Sequence, residues 1–134
     1  MYLLDSDWLI DYLGDLRDAV ELVGPLADAG LAFSIVTYME AFEGTLRKQD
    51  PATAQARLHS GLRPFRAIPV SYEIAERCAI IRYDLRTRGR RIRDRALDLL
   101  IAATAIEYDL TLVTRNLDDF GDILGLKLYA QDAP

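Results

Sequence analysis

Four acids stand beside apolar runs in this chain: Asp5 after the opening MYLL, Glu40 within SIVTYMEAFEG, Asp98 near the head of LDLLIAATAIE and Asp119 in RNLDDFGD. Carboxylates gathered at one place repel, and each is driven toward its neutral form unless a cation joins them. Magnesium suits such a group, because it takes hard oxygen ligands, keeps several waters and is shared with substrate phosphates. One or two such ions would make a bound water nucleophilic and screen a negative phosphodiester. The chemistry expected is phosphodiester hydrolysis.

Each acid also has an ordinary structural explanation. Asp5 precedes SDWL and suits a helix cap. Asp98 could cap the helix it begins, Asp119 lies among the turn formers Asn116 and Gly121, and Glu40 and Glu43 could be solvated helix acids. Singly these explanations are preferred. Convergence at one edge reverses the preference, so the elements that would carry the acids decide the matter.

Short strands are predicted at Tyr2–Leu4, Ala32–Val36, Ala67–Val70 and Thr111–Val113, with Lys127–Tyr129 a weaker fifth. Ile35, Val36, Met39, Phe42 and Leu46 recur at steps of three and four, which predicts a helix starting near Ser34–Thr37 with these residues on its buried face. Ser71 reads as the cap of a second helix, carried by Ile74, Ala75, Cys78, Ile81 and Leu85 up to Gly89. LDLLIAATAIE, between Ala96 and Glu107, is apolar almost all round, as a helix at the centre of a domain would be.

Strands alternating with helices predict an α/β sandwich on a mainly parallel sheet, where ligands bind beyond the carboxyl ends of the strands. Asp5 follows the first strand, Thr37 and Glu40 the second, and residues 114–119 the strand TLV. Asp98 needs the axis of its own helix to bring it to the same edge.

The chain has 134 residues, 51 % hydrophobic and 28 % charged, which predicts one domain over residues 1–134 with neither low complexity nor a membrane span. Asp5 and Asp7 precede any basic residue, unlike a signal peptide, and a cytoplasmic location is expected. One cysteine, Cys78, removes any intrachain disulfide and multi-cysteine zinc site and reads as a small buried residue. One histidine, His59, removes a paired-histidine ribonuclease and reads as a helix-surface residue. The net charge of −5 argues against binding nucleic acid through the overall field.

A local basic patch remains. RTRGRRIRDR holds Arg86, Arg88, Arg90, Arg91, Arg93 and Arg95 and leads directly into Asp98. Arg90, Arg91 and Arg93, with Arg115 beside the fourth acid, are the candidates for RNA phosphate. A solvated surface with Asp84 and Asp94 nearby is the ordinary alternative. Trp8 and Tyr12 read as core or dimer contacts rather than stacking platforms.

LLDSDWLI, the Ser-x-x-Thr-x-x-Glu pattern of SIVTYMEAFEG, LDLLIAATAIEYDLTLVTRNLDDF and the closing GLKLY together resemble the PIN-domain ribonucleases, in particular VapC toxins of toxin-antitoxin pairs. The resemblance spans nearly the full length and keeps the family's order. It implies a PIN-like three-layer sandwich with sheet order 3-2-1-4-5 and a magnesium-dependent endoribonuclease, manganese being a possible substitute. It also implies a homodimer and a VapB-like antitoxin, with no membrane partner. The acidic positions fall at Asp5, Glu40, Asp98 and Asp119. Asp5 and Asp98 are assigned to the metal directly, Glu40 and Asp119 through water.

Where the family often carries Asn two residues after the first Asp, this chain has Asp7, retained as a supporting residue. Asp118 is the alternative fourth acid, with Asn116 sharing its work through water, and Ser6, Thr37 and Thr114 are orienting hydroxyls. Two other functions compete. A phosphatase could use Asp5 and Asp7 as nucleophile and acid, but Trp8 and Leu9 stand where that chemistry's Gly and Thr would be expected. A PIN fold could also bind RNA or a partner without cutting, which four intact acids oppose.

Overall fold

The computed structural model describes residues 1–130; Gln131–Pro134, the end of the expected 1–134 domain, lie outside the described residues. Five strands, β1 (Tyr2–Leu4), β2 (Leu31–Ser34), β3 (Arg66–Ile68), β4 (Thr111–Val113) and β5 (Lys127–Leu128), form one sheet in the order β3-β2-β1-β4-β5. Every pairing is parallel, with Leu4 opposite Val113 and Leu3 opposite Ala32. Seven helices flank it: α1 (Ser6–Leu13), α2 (Arg17–Val23), α3 (Ile35–Thr45), α4 (Pro51–Leu62), α5 (Tyr72–Thr87), α6 (Ala96–Glu107) and α7 (Leu117–Phe120), with a 3₁₀ turn at Gly24–Ala29. This is the expected three-layer α/β sandwich.

Strand alternation makes the layers. Leu3, Ala32, Ile68 and Leu112 enter one core with Ile74, Cys78, Ile81 and Leu85 of α5 and Leu99, Ala102 and Ala103 of α6. Leu4, Phe33 and Val113 enter the opposite core with Trp8 and Leu9 of α1, Val23 of α2 and Leu58 of α4. Both faces of the sheet are therefore covered, as an all-parallel sheet requires.

Several expectations need correction. The second strand ends at Ser34, because the Ser34 hydroxyl accepts the Val36 N–H at 3.1 Å and starts α3 there, leaving Ile35 and Val36 helical. The third strand runs Arg66–Ile68 and stops before Pro69, which has no N–H for the ladder. On α3 the buried side is Val36, Thr37, Ala41 and Thr45, while Ile35, Met39 and Leu46 are exposed. Small side chains make the side of this helix that packs among α1, α4 and α6, and the larger apolar Ile35, Met39 and Leu46 are turned outward. Ala75 is likewise exposed, although Ile74, Cys78, Ile81 and Leu85 are buried as expected. α2 and α4 were not anticipated; the Asp50-Pro51 pair, a cap followed by Pro in the first turn, is the signal that marks α4.

Candidate active site

The order β3-β2-β1-β4-β5 places β1 at the sheet's switch point, between β2 on one side and β4 on the other. Side chains just beyond β1 and β4 are thereby neighbours, at the position where such sheets bind ligands. Asp5 leaves β1 there and is 5 % exposed. Its Oδ1 accepts the Ser6 N–H at 2.8 Å, capping α1, and its Oδ2 accepts the Thr114 hydroxyl at 2.8 Å across 109 residues of sequence. Thr114 Oγ1 in turn accepts the Asn116 N–H at 3.1 Å. Asp5 is therefore both a helix cap and a buried acid, and each of its oxygens keeps a lone pair free.

Glu40 stands half-buried one turn into α3, and Asp98 half-buried in the first turn of α6, where the helix dipole favours a negative charge. Burial, then the charges of Asp5, Asp98, Asp7 and Glu43, push Glu40 up to about 7. Asp98 is raised by burial and by Asp5 and Asp119, against the opposing pull of Arg95 and Arg91. Burial raises Asp5, with Asp7 adding to it and the Thr114 and Ser6 hydrogen bonds opposing it. Asp5 thus acts on both Glu40 and Asp98, Asp98 acts on Glu40, and Asp119 acts on Asp98.

The fourth position separates cleanly. Asp119 is half-buried and acts on Asp98, whereas Asp118 is exposed. Asp7 is exposed in the first turn of α1, within electrostatic reach of Asp5 and Glu40. Ser6 contributes its backbone N–H to Asp5. Thr37 is fully buried, and its hydroxyl has no hydrogen-bond partner among the described residues.

A divalent cation fits this set. Hard carboxylate oxygens held at raised proton affinity are what a cation would relieve, and an orphaned buried hydroxyl at Thr37 leaves a polar atom for a coordinated water. Among the described residues no three His, Cys, Asp or Glu side chains are gathered into a ready chelate.

The arginines divide. The Arg115 guanidinium lies over the Trp8 ring, 3.9 Å from its centroid, and pairs with Asp11 at 2.5 Å and Asp18 at 3.1 Å. It clamps α1 and α2 to the loop after β4 and is already neutralised. Arg90 is 3.6 Å from Asp122, Arg91 binds the carbonyl of Arg93, and Arg93 is exposed near Asp94. Arg90, Arg91 and Arg95 line a cavity of about 260 Å³ together with Asp118 and Asp119. Arg95 is 4 % exposed and bound to Asp122, a role that its sequence context of six arginines conceals. A larger groove of about 770 Å³, bordered by Trp8, Leu22, Thr114 and Tyr129, is lined by none of the four acids.

The PIN domain profile matches residues 2–123. The chain belongs to the PIN domain family. No curated protein sequence matches it. Among solved structures, this PIN chain is similar to a chain of VapBC2 from Rickettsia felis bound to a promoter DNA fragment, with 26 % identity, TM-score 0.84 and 98 % of each chain covered. It is also similar to a chain of FitAcB from Neisseria gonorrhoeae, with 27 % identity, TM-score 0.84 and 96 % and 97 % covered. A toxin-antitoxin complex from Klebsiella pneumoniae contains a third similar chain, with 29 % identity, TM-score 0.71 and 94 % and 95 % covered. No helix among the described residues is long and apolar enough to cross a membrane.

Proposed function

We infer that this PIN-domain protein is a magnesium-dependent endoribonuclease, the toxin of a VapBC-type pair acting in the cytoplasm to inhibit translation or growth. The observation that carries the reading is that Asp5 acts on Glu40 and Asp98 at the switch point of the sheet, with Asp98 acting on Glu40 and Asp119 on Asp98. Likeness to chains of VapBC and toxin-antitoxin complexes supports the partner assignment, a VapB-like antitoxin. Outward-facing Ile35 and Met39 on α3 and Ile80 and Tyr83 on α5 are surface suited to that partner or to a second copy in a homodimer.

Magnesium or manganese, when bound, would screen the phosphodiester and lower the pKa of water. Asp5 and Asp98 would hold it directly, with Glu40 and Asp119 acting through water. The chain's own work is orientation. Thr114 fixes the Asp5 carboxylate, and Ser6 N–H holds its other oxygen. Glu40, with its proton affinity near neutrality, is suited to take a proton from an attacking water. Thr37 offers that water a hydrogen bond, and Arg91 and Arg93, beside Asp98 in sequence, would receive the RNA phosphates. Arg90 is a weaker contact because Asp122 already faces it. Arg115 is a weaker candidate for the same role, because Asp11 and Asp18 already pair with it.

RNA cleavage tests the reading. Wild-type protein is expected to cut RNA with magnesium and to stop with chelator. Asp5→Asn should lose at least about 100-fold, the upper range for disturbing a metal site's supporting shell. Equal cutting by wild type and Asp5→Asn would sink the proposal, and turnover of a phosphomonoester without RNA cleavage would replace it with a phosphatase.

A further inference from the structure

Arg95 is the one buried arginine of the basic segment, and it faces inward. Its backbone carbonyl accepts the Leu99 N–H at 2.9 Å, so it is the root of α6, three residues before Asp98. Its guanidinium reaches the opposite side of the acidic edge. Nη2 donates to the carbonyl oxygen of Asp119 at 2.8 Å and to Asp122 Oδ1 at 2.7 Å. Nη1 donates to Asp122 Oδ2 at 3.0 Å and to the Arg91 carbonyl at 2.6 Å. One planar fork therefore ties three groups, two of them on the segment that carries Asp119. Asp122 is itself confined, since its backbone carbonyl accepts from Arg88 at 2.7 Å and its carboxylate also faces Arg90.

α7 is only four residues long, and such a turn holds no shape by itself. Phe120 anchors it to the core from below, being fully buried. Ile123, also buried, holds the far end of the segment, but neither apolar contact grips the peptide of Asp119, which keeps some freedom to turn. The Arg95 fork removes this freedom by gripping the peptide carbonyl of Asp119 itself. It also adds one positive charge near two acids that repel.

We propose that Arg95, held by Asp122, is a positioning residue that sets the separation of Asp98 and Asp119 and thereby the affinity of the acidic edge for a divalent cation. The proposal rests on the nuclease reading above, and its test separates the two. Arg95→Lys keeps the charge but loses the fork, while Asp122→Asn keeps the shape but weakens the grip. Both variants of the full chain are compared with wild type by amide hydrogen exchange and by Mn2+ binding followed through electron paramagnetic resonance.

Exchange in residues 117–123 is expected to accelerate at least about tenfold while residues 99–105 of α6 stay protected, and the Mn2+ dissociation constant to rise about tenfold in the same variants. If Arg95→Lys fails to fold, Asp122→Asn carries the comparison. Unchanged exchange in 117–123 overturns the proposal. So does a loosened segment that still binds Mn2+ with wild-type affinity, which would make the fork purely structural. A wild-type protein that binds no Mn2+ overturns the nuclease reading and the positioning role with it, and that outcome is read on wild type alone.

Discussion

The hydrogen bond from Thr114 to Asp5 is buried and links residues at the ends of adjacent strands. Thr114→Val keeps the shape and removes the donor, so Asp5 loses the contact that opposes its desolvation. Cleavage is expected to fall about 10- to 100-fold, with a higher magnesium requirement and little change in fold, measured as rate against magnesium concentration and by circular dichroism. Glu40 gives a pH signature. Its folded proton affinity, raised to about 7 from an ordinary 4.5, means that the folded protein holds more protons than the unfolded chain between those values. Stability without metal should therefore decline as pH rises from about 4.5 to 7. Thermal unfolding at pH 5 and pH 7.5 checks this, and Glu40→Gln should flatten the slope, whereas a slope unchanged by that substitution would show that Glu40 is not its source. The acids were legible in the sequence because each sits in a stretch resembling a family motif, at the edge of an apolar run. The Arg95–Asp122 pair was not: 27 residues separate its members, and an arginine among six reads as a phosphate contact until its burial is seen.

At the scale of elements, α3 matters most, because it brings both Thr37 and Glu40 to the edge. Its start depends on the Ser34 hydroxyl, which is completely buried. Ser34→Ala is expected to cost about 1–2 kcal/mol in chemical denaturation and to lower activity by misplacing the first turn of the helix. A loss well below that would mean that packing of Val36 and Ala41 alone fixes the helix start. α6 was readable in advance because a helix apolar on all sides has only one place to go. The orientation of α3 was not readable, since periodicity reports which residues are large and apolar, and here the buried side includes Thr37, Ala41 and Thr45 while Ile35 and Met39 look outward. Strand ends were set by single residues, the cap at Ser34 and the missing donor at Pro69, whose effect depends on the neighbouring strand.

For the whole molecule, divalent cation and folding should be linked. An ion that binds only the assembled edge stabilises the native state by about 2.7 kcal/mol at 100 times its dissociation constant. Magnesium is expected to raise the unfolding midpoint at pH 7.5, to do so less at pH 5 where Glu40 is protonated, and to have little effect on Asp98→Asn. A midpoint that ignores magnesium in wild type would count against the metal site. Alternation between the two cores follows from sequence because Leu3 and Leu4, or Leu112 and Val113, must face opposite ways, whereas the sheet order came from the family resemblance alone. The surface that receives a partner does not, since outward apolar residues on α3 and α5 carry no label for what covers them.

Asp5 is synthesised 109 residues before Thr114, yet the two share a hydrogen bond. A growing chain therefore lacks this contact until β4 has slid in beside β1. Under the proposed nuclease reading, any fragment ending before residue 111 should be inert however well its remaining parts fold.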